Sequence, residues 1–368
     1  MYNHISLDIE NKLKSYYADQ TVPWSKYKAP SGTASIEVSL FITDICNLAC
    51  KYCHVIDNIE SKEKRFEGKI MSQETLEIFA KNFFAYIKDR FKIGSISICF
   101  FGGQPSLKGY VRQFLYKATD YLSKEGAKNK IYIKFVIDDN GTQIDKELIN
   151  FYKQYGFEVN LSFDSPADVN SVQRPFLSPR KKDSGKIIEV NLKKLLDNGI
   201  YAGLRATVSN LNQDRILESI KKYSQWGLKS AAFIPMQDIA HGKKVCDITA
   251  PDPEIFKNEL IKTFDFVLDL YETKQIFFDF GPITPLLDAI VLGGTIQPCG
   301  MGDVYFALSP DGEVFTCHRD LIQKYSVCHL NDPEFLQKMR NIPECKKCSS
   351  FYSLLDPDNL CLNQACSC

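Results

Sequence analysis

The sequence carries no excess charge of either sign: Lys+Arg and Asp+Glu stand at 45 each. Nucleic acid or an anionic membrane would have to be met by a local patch, and bulk electrostatics names neither as a partner. Long apolar runs are missing too. No stretch reaches the ~18 consecutive apolar residues of a membrane span, and the start, MYNHISLDIENKLKSYYADQ, lacks a basic n-region, an apolar h-region and a small-residue cleavage site. We expect a cytoplasmic protein bound to neither nucleic acid nor membrane. With 44% hydrophobic and 24% charged residues over 368 positions, wholesale disorder is excluded, and the length suits a folded body with a smaller appendage.

Cysteine is what the sequence has in surplus. Eight of the thirteen (Cys299, Cys317, Cys328, Cys345, Cys348, Cys361, Cys366 and Cys368) fall in the last 70 residues. In a reducing compartment such a tail reads as metal ligation before it reads as a disulfide framework. Cys99 and Cys246 stand apart, and Cys99, inside an expected strand, is most simply a core thiol.

From about residue 36 one pattern repeats: a β-branched or aromatic run, an amphipathic stretch, a glycine, another apolar run. Strands are expected at 36–42, 95–101, 130–137, 158–163, 202–208 and 230–236. Helices follow from Leu76, Phe79, Ala80, Phe83 and Ile87 behind a Ser72 cap, and from Ile216, Ile220 and Tyr223. Gly126, Gly156, Gly199 and Gly227 are placed as left-handed residues at helix ends. This alternation means a parallel sheet, and periodicity fits an open partial barrel and a doubly wound sheet alike. In both, chemistry gathers at the C-terminal strand ends. Residues 1–35 read as a lead-in. Residues 165–186, with three prolines and a basic cluster, read as a long loop, either solvated or covering a substrate.

Directly after the first strand comes FITDICNLACKYCHV, with Cys46, Cys50 and Cys53 in CxxxCxxC spacing. Three thiolates on one short loop can converge on one metal centre while leaving it a position open. A zinc site closed by His54, a CxxCH haem attachment and a CxxC redox pair are the competing readings. Zinc would need His54 to close a tetrahedron from directly beside the last cysteine, haem attachment needs export, and a redox pair leaves Cys46 idle.

The sequence here resembles the radical S-adenosylmethionine (SAM) superfamily. Tyr52 before the last cysteine fits that pattern. Phe101-Gly102-Gly103-Gln104-Pro105 is similar to the family's GGEP segment, Asp139-Asn140-Gly141 to its TNG turn, Ser162-Phe163-Asp164 to its SxD strand end, and Leu204-Arg205 to its carboxylate-binding arginine. Two positions depart from the pattern. Gln104 stands for the usual glutamate, keeping a carbonyl oxygen able to accept from the methionine ammonium. Asp139 stands where threonine is common and is assigned no contact. The resemblance implies a partial (β/α)6 TIM-like barrel over 36–285 and a small cysteine-rich iron-sulfur domain over 286–368. It also implies a 4Fe–4S cluster on Cys46, Cys50 and Cys53, and SAM bound through Tyr52, Gly102, Gly103, Gln104, Asn140, Ser162 and Arg205. The implied chemistry is reductive cleavage of SAM to a 5′-deoxyadenosyl radical that takes a substrate hydrogen.

Cys299, Gly312 and Cys317 are spaced as in the opening of the SPASM extension found on peptide-modifying members, with a hairpin turning at Asp311-Gly312, and Cys345 and Cys348 supply its next CxxC. The final spacing, through Cys361, Cys366 and Cys368, departs from the pattern. With Cys328 the tail offers eight thiolates. Two auxiliary 4Fe–4S clusters, one cluster with spare thiols, or zinc remain open readings. The resemblance implies a precursor peptide or small protein as substrate, an electron donor such as flavodoxin or ferredoxin, and a separate leader-binding protein, since no leader-binding domain is read in the N-terminal segment. We expect an oxidising peptide maturase that forms a thioether or carbon-carbon cross-link, with formylglycine formation of the sulfatase-maturase kind or epimerisation as alternatives. A non-enzymatic metal-binding peptide scaffold is the reading of another class. Candidate bases are Asp238, Asp279 and His318, the last standing where sulfatase maturases place an aspartate.

Overall fold

The computed structural model describes residues 34–53, 68–91, 94–178, 180, 183–236, 239–240, 243–244, 248–281, 283, 300–318 and 326–342. Their backbone packs as two compact units. The first holds 34–48, 53–159 and 300–342, and the second holds 49–52 and 160–283.

In the first unit, β1 (Ala34–Thr43), α1 (Gln73–Arg90), β2 (Gly94–Gly102), α2 (Tyr110–Asn129), β3 (Tyr132–Asp139) and α3 (Lys146–Tyr155) alternate, and the chain leaves along β4 (Glu158–Ser162). β1 pairs with β2, and β2 with β3, in parallel, bringing Val38 level with Ile98 and Ile98 level with Phe135. Ser72 caps α1 by accepting from the Thr75 N–H. One face of α1 buries Leu76, Phe79, Ala80, Phe83 and Ile87, at ~1.5–3 kcal/mol for each large apolar side chain. Part of what that face meets comes from far along the chain: Phe83 and Tyr86 set their rings edge-on to Phe306, and Phe83 also meets Phe335 of α8 (Phe335–Arg340). Phe306 belongs to β10 (Tyr305–Leu308), which lies parallel against the outer side of β1, so with β11 (Glu313–Phe315) and β12 (Cys328–His329) the strand order is β12–β11–β10–β1–β2–β3. The chain turns at Gly312, whose φ of 97° suits glycine, into antiparallel β11 and then β12. The hairpin at Asp311-Gly312 is as expected; its parallel seat on β1 was not foreseen.

The second unit runs through the end of β4, α4 (Ala167–Gln173), α5 (Ser184–Asp197), β5 (Tyr201–Val208), α6 (Ile216–Ser224), β6 (Ser230–Pro235), the short ladder β7 (Ile239–Ala240) with β8 (Lys243–Lys244), α7 (Pro253–Lys274) and β9 (Asp279–Phe280). β5, β6 and β9 are parallel neighbours. Asp252 caps α7, accepting from the Glu254 and Ile255 N–H groups.

Each of the six expected strands exists, with ends within two residues of those read from the sequence. Two expectations are corrected. Gly126 does not end a helix: α2 continues to Asn129, and Lys130 takes the left-handed conformation instead. Gly126 answers a packing need, because a Cβ there would lie 2.5 Å from Ile133 Cδ1. Residues 165–186 are not one loop, since α4 and the start of α5 occupy much of that stretch. Pro166 is the N-cap residue of α4, and Pro175 follows its C-terminal end. No helix among the described residues is long and apolar enough to cross a membrane.

Candidate active site

The segment after β1 carries the three closely spaced cysteines. Its first half is held within the first unit by two glycines and an asparagine. Gly102 has φ 132°, and a Cβ on it would lie 2.2 Å from Thr43 O. A Cβ on Gly103 would lie 2.3 Å from Ile45 O. The glycines let the β2 exit press onto backbone 43–45, where Gly103 N donates to Thr43 O at 2.7 Å and Gln104 N to Ile45 O at 2.8 Å. Asn140, on the turn after β3, donates to Asn47 Oδ1 at 2.9 Å and to Cys46 Sγ at 3.8 Å, and Leu48 N also reaches that sulfur at 3.4 Å. Donors aimed at a sulfur favour its thiolate form.

Behind this half lies a buried polar cluster. Gln104, Ser106 and Asp139 have no exposed surface. Asp139 Oδ1 accepts from Gln104 Nε2 (2.8 Å) and Gly141 N (2.7 Å), while Oδ2 accepts from Ser106 Oγ (2.6 Å) and Tyr152 OH (2.7 Å). Gln104 Nε2 also donates to Ser106 Oγ at 2.7 Å, and Gln104 Oε1 accepts from Asn140 N at 2.9 Å. Buried Arg112 ties the Ser106 loop to the next, donating to Ser106 O, Gln143 O and the Asp145 carboxylate. Asp145 caps α3 at Leu148 N. Partial burial alone would raise its pKa, but that N–H and the Arg112 and Lys108 cations hold it at about 2.

The second half of the segment, 49–52, belongs to the second unit and is gripped there. Ala49 N donates to Pro175 O at 2.8 Å and Lys51 N to Gln173 O at 3.0 Å. The Tyr52 hydroxyl donates to Asp164, a carboxylate with no exposed surface at the exit of β4. Asp164 also accepts from Gln173 Nε2 and Thr207 N, each at 2.8 Å. Arg174 Nε stands 3.1 Å away, within ion-pair range but without hydrogen-bond alignment. Arg174 also lies over the Tyr52 ring at 5.4 Å. Burial pushes the Tyr52 phenol well above its ordinary range, with Asp164 and Cys50 adding to the shift against the pull of Arg174. Burial opposes the Arg174 charge, but Asp164, Tyr52 and Cys50 outweigh it and hold the guanidinium firmly protonated. Cys50 therefore sits in the field of a buried cation.

Cys46, Cys50 and Cys53 are half-buried and form no disulfide, and Cys99 is sealed in the core. Cys53 packs on the Phe41–Phe101 pair. Among the described residues no three histidine, cysteine or carboxylate side chains already stand together as ion ligands. The donor set itself, three thiols within eight residues, suits an iron-sulfur cluster. A scan against protein-family models matches the radical SAM superfamily over residues 40–223, half of the chain. The chain belongs to the radical SAM superfamily.

As a radical SAM protein it is an enzyme that uses a 4Fe–4S cluster and SAM. Among curated relatives, the cysteine-type anaerobic sulfatase-maturating enzyme of Clostridium novyi is 26% identical over 79% of this chain and 75% of its own. The radical SAM cyclopropyl synthase TigE of Paramaledivibacter caminithermalis is 25% identical over 59% and 44%. Among solved structures, native anSMEcpe with bound AdoMet superposes with a TM-score of 0.70 at 22% identity, over 84% of this chain and 83% of that one. Streptococcus suis SuiB bound to its precursor peptide SuiA gives 0.56 at 14%, over 84% and 66%. These likenesses show the fold, an α/β partial barrel with a parallel sheet.

The remaining predicted positions are dispersed. Ser162 ends β4, and half-buried Arg205 lies mid-way along β5, its carbonyl accepting from Phe163 N at 3.0 Å. His318 is half-buried beside the Phe101 ring, and its Nδ1 is hydrogen-bonded to Tyr305 OH, which bonds in turn to Ser39 Oγ at 2.8 Å. Cys317 and Cys328 are buried and form no disulfide. Asp279 is a correction: it pairs with Ser230, the first residue of β6, and takes that hydroxyl at 3.1 Å. That is the N-terminal end of a parallel strand, the end opposite the chemistry of such sheets. Asp238, Cys246, Cys299, Cys345, Cys348, Cys361, Cys366, Cys368, His54 and residues 1–33 of the 1–35 lead-in lie outside the described residues, while residues 34–35 open β1. Sequence reasoning passed over Arg174, Gln173, Tyr152 and Tyr305. Only the position of Arg174 shortly after the SxD segment could have hinted at one of them.

Proposed function

We propose that this enzyme is a peptide maturase: it binds a precursor peptide or small protein and removes a hydrogen from one of its side chains, with a thioether or carbon-carbon cross-link as product. The observation that carries this reading is the cysteine segment itself, three half-buried thiols on a backbone fastened at both halves, in a chain whose relatives include sulfatase-maturating enzymes and whose fold neighbours include SuiB, solved with a precursor peptide. When bound, the cluster and SAM together supply the one-electron cleavage that makes hydrogen abstraction available. The protein's part is to hold and to exclude. Cys46, Cys50 and Cys53 are the cluster ligands in this proposal, with the Leu48 and Asn140 donors and the Arg174 cation setting the field at the sulfurs. The SAM contacts in this proposal are the Gly102–Gly103 backbone and Asn140 on the first unit, and Tyr52, Ser162 and Arg205 on the second. His318, oriented by Tyr305, serves as base for the substrate proton, with Asp238 as the other candidate. Residues 286–368 form an auxiliary domain in which Cys299, Cys317, Cys328, Cys345, Cys348, Cys361, Cys366 and Cys368 hold one or two further clusters. When bound there, such clusters would supply a place for the electron that oxidation releases, and a flavodoxin or ferredoxin is the proposed electron donor.

Formylglycine formation is the second reading, favoured by the extent of the match to the sulfatase-maturating enzymes, which spans 75% of the Clostridium novyi relative. Anaerobic, iron-reconstituted enzyme would be incubated with SAM, dithionite and either a sulfatase-type cysteine peptide or the product of a small open reading frame beside this gene. The proposal expects 5′-deoxyadenosine and a peptide lighter by two hydrogens. Sulfur loss with a new aldehyde would establish the second reading, and absence of 5′-deoxyadenosine would overturn both. Alanine at Cys46, Cys50 and Cys53 together should abolish that nucleoside.

A further inference from the structure

The two departures from the family pattern, Gln104 and Asp139, touch each other. Asp139 has a donor on every side: Gln104 Nε2 and Gly141 N on one oxygen, Ser106 Oγ and Tyr152 OH on the other. All four contacts use this carboxyl group as an acceptor, two on each oxygen. Gln104 is fully buried and engaged at both ends of its amide, giving two N–H bonds to Ser106 and Asp139 and accepting from Asn140 N. A glutamate at 104 would set a second carboxylate where a donor now spans 2.8 Å to Asp139, and two like charges in one buried site cannot both ionise.

We propose that Gln104 and Asp139 are a matched exchange: the negative charge of this site sits at 139, and Gln104 is a positioning residue that braces the β2 exit against the β3 turn. It does not bind the methionine ammonium. The bond from Asn140 N to Gln104 Oε1 fixes the turn whose Asn140 side chain reaches Cys46 and Asn47, so the brace acts on the cluster segment through Asn140. The inference rests on the reading of this site as the cluster and SAM site, and it departs from the expectation that the Gln104 carbonyl meets SAM.

The test is a double-mutant cycle on the full chain: parent, Gln104→Glu, Asp139→Asn, and the pair. Melting temperature is read on metal-free protein and SAM affinity on reconstituted protein. We expect each single variant to melt below the parent and bind SAM about tenfold more weakly, and the pair to recover most of both losses, as contacting residues couple while independent ones add. Additive losses would overturn the exchange, as would a Gln104→Glu protein that binds SAM more tightly than the parent at unchanged melting temperature. Should a single variant fail to fold, recovery of folded protein in the pair is itself the expected coupling, and failure of the pair as well overturns it. A parent that takes up a cluster but not SAM would overturn the site reading and the bracing role together, whereas coupling in the metal-free melts would still report on the exchange.

Discussion

Asp164 joins four parts of the second unit, the cysteine segment, the β4 exit, the end of α4 and β5, so its removal has a calculable cost. Substituting alanine strands the Arg174 guanidinium, whose side chain is 11% exposed, leaves the Tyr52 hydroxyl and Thr207 N without this acceptor, and leaves Gln173 Nε2 with Thr207 O alone. Breaking a buried ion pair by deleting one member costs about 3–5 kcal/mol, because the remaining charge stays buried without compensation. Asp164→Asn keeps an oxygen for Thr207 N and should cost less. Tyr52→Phe deletes one hydrogen bond to a charged group and should cost about 1.5–3 kcal/mol. Urea unfolding of metal-free protein measures all three, and hydrogen exchange at the Ala49 and Lys51 amides reports whether the segment is released. The order Ala, then Asn, then Phe is expected, with faster exchange at 49 and 51 in the alanine variant. A cost below about 1 kcal/mol for Asp164→Ala, with those amides still protected, would refute the claim that this carboxylate holds the cysteine segment.

Gly103→Ala would press a methyl onto the Ile45 carbonyl at 2.3 Å, contact with backbone that cannot swing aside, so we expect reconstituted variant to bind less than half the parental iron at the Cys46 site, counted in a protein lacking the tail cysteines. The N-cap Asp145 has its pKa depressed to about 2, so its contribution is complete above the unfolded value near 3.8 and is lost as pH falls from there toward 2; Asp145→Asn should lower stability by about 1 kcal/mol at neutral pH, with the gap closing across that acid window in melts read at stepped pH. Tyr305→Phe removes the partner of His318 Nδ1 and of Ser39, and should slow product formation on a peptide substrate while leaving SAM affinity unchanged; an equal loss of SAM affinity would show that Tyr305 serves the fold and not the orientation of His318.

What the sequence made legible was local. Strand and helix positions follow from periodic apolar residues, so β1 to β6 could be placed to within two residues, and CxxxCxxC marked the reactive segment because its ligands are neighbours in the chain. What holds that segment was hidden, since the partners are distant: Tyr52 and Asp164 are 112 positions apart, Cys46 and Asn140 are 94, and Ser39 and Tyr305 are 266. A buried carboxylate looks no different in sequence from a solvated one. Asp164 was visible only as the last letter of a motif, and Asp139 only as a deviation from one. The glycine pair teaches the same point from the other side: the motif suggested backbone approaching a cofactor, whereas the structure gives both glycines a requirement of their own, room for the 43–45 backbone. A pattern can record that a residue is needed without recording what it touches. Charge exchanges such as Gln104 with Asp139 therefore look in sequence like two weakened motifs, and become one compensated site only when the 2.8 Å between them is known.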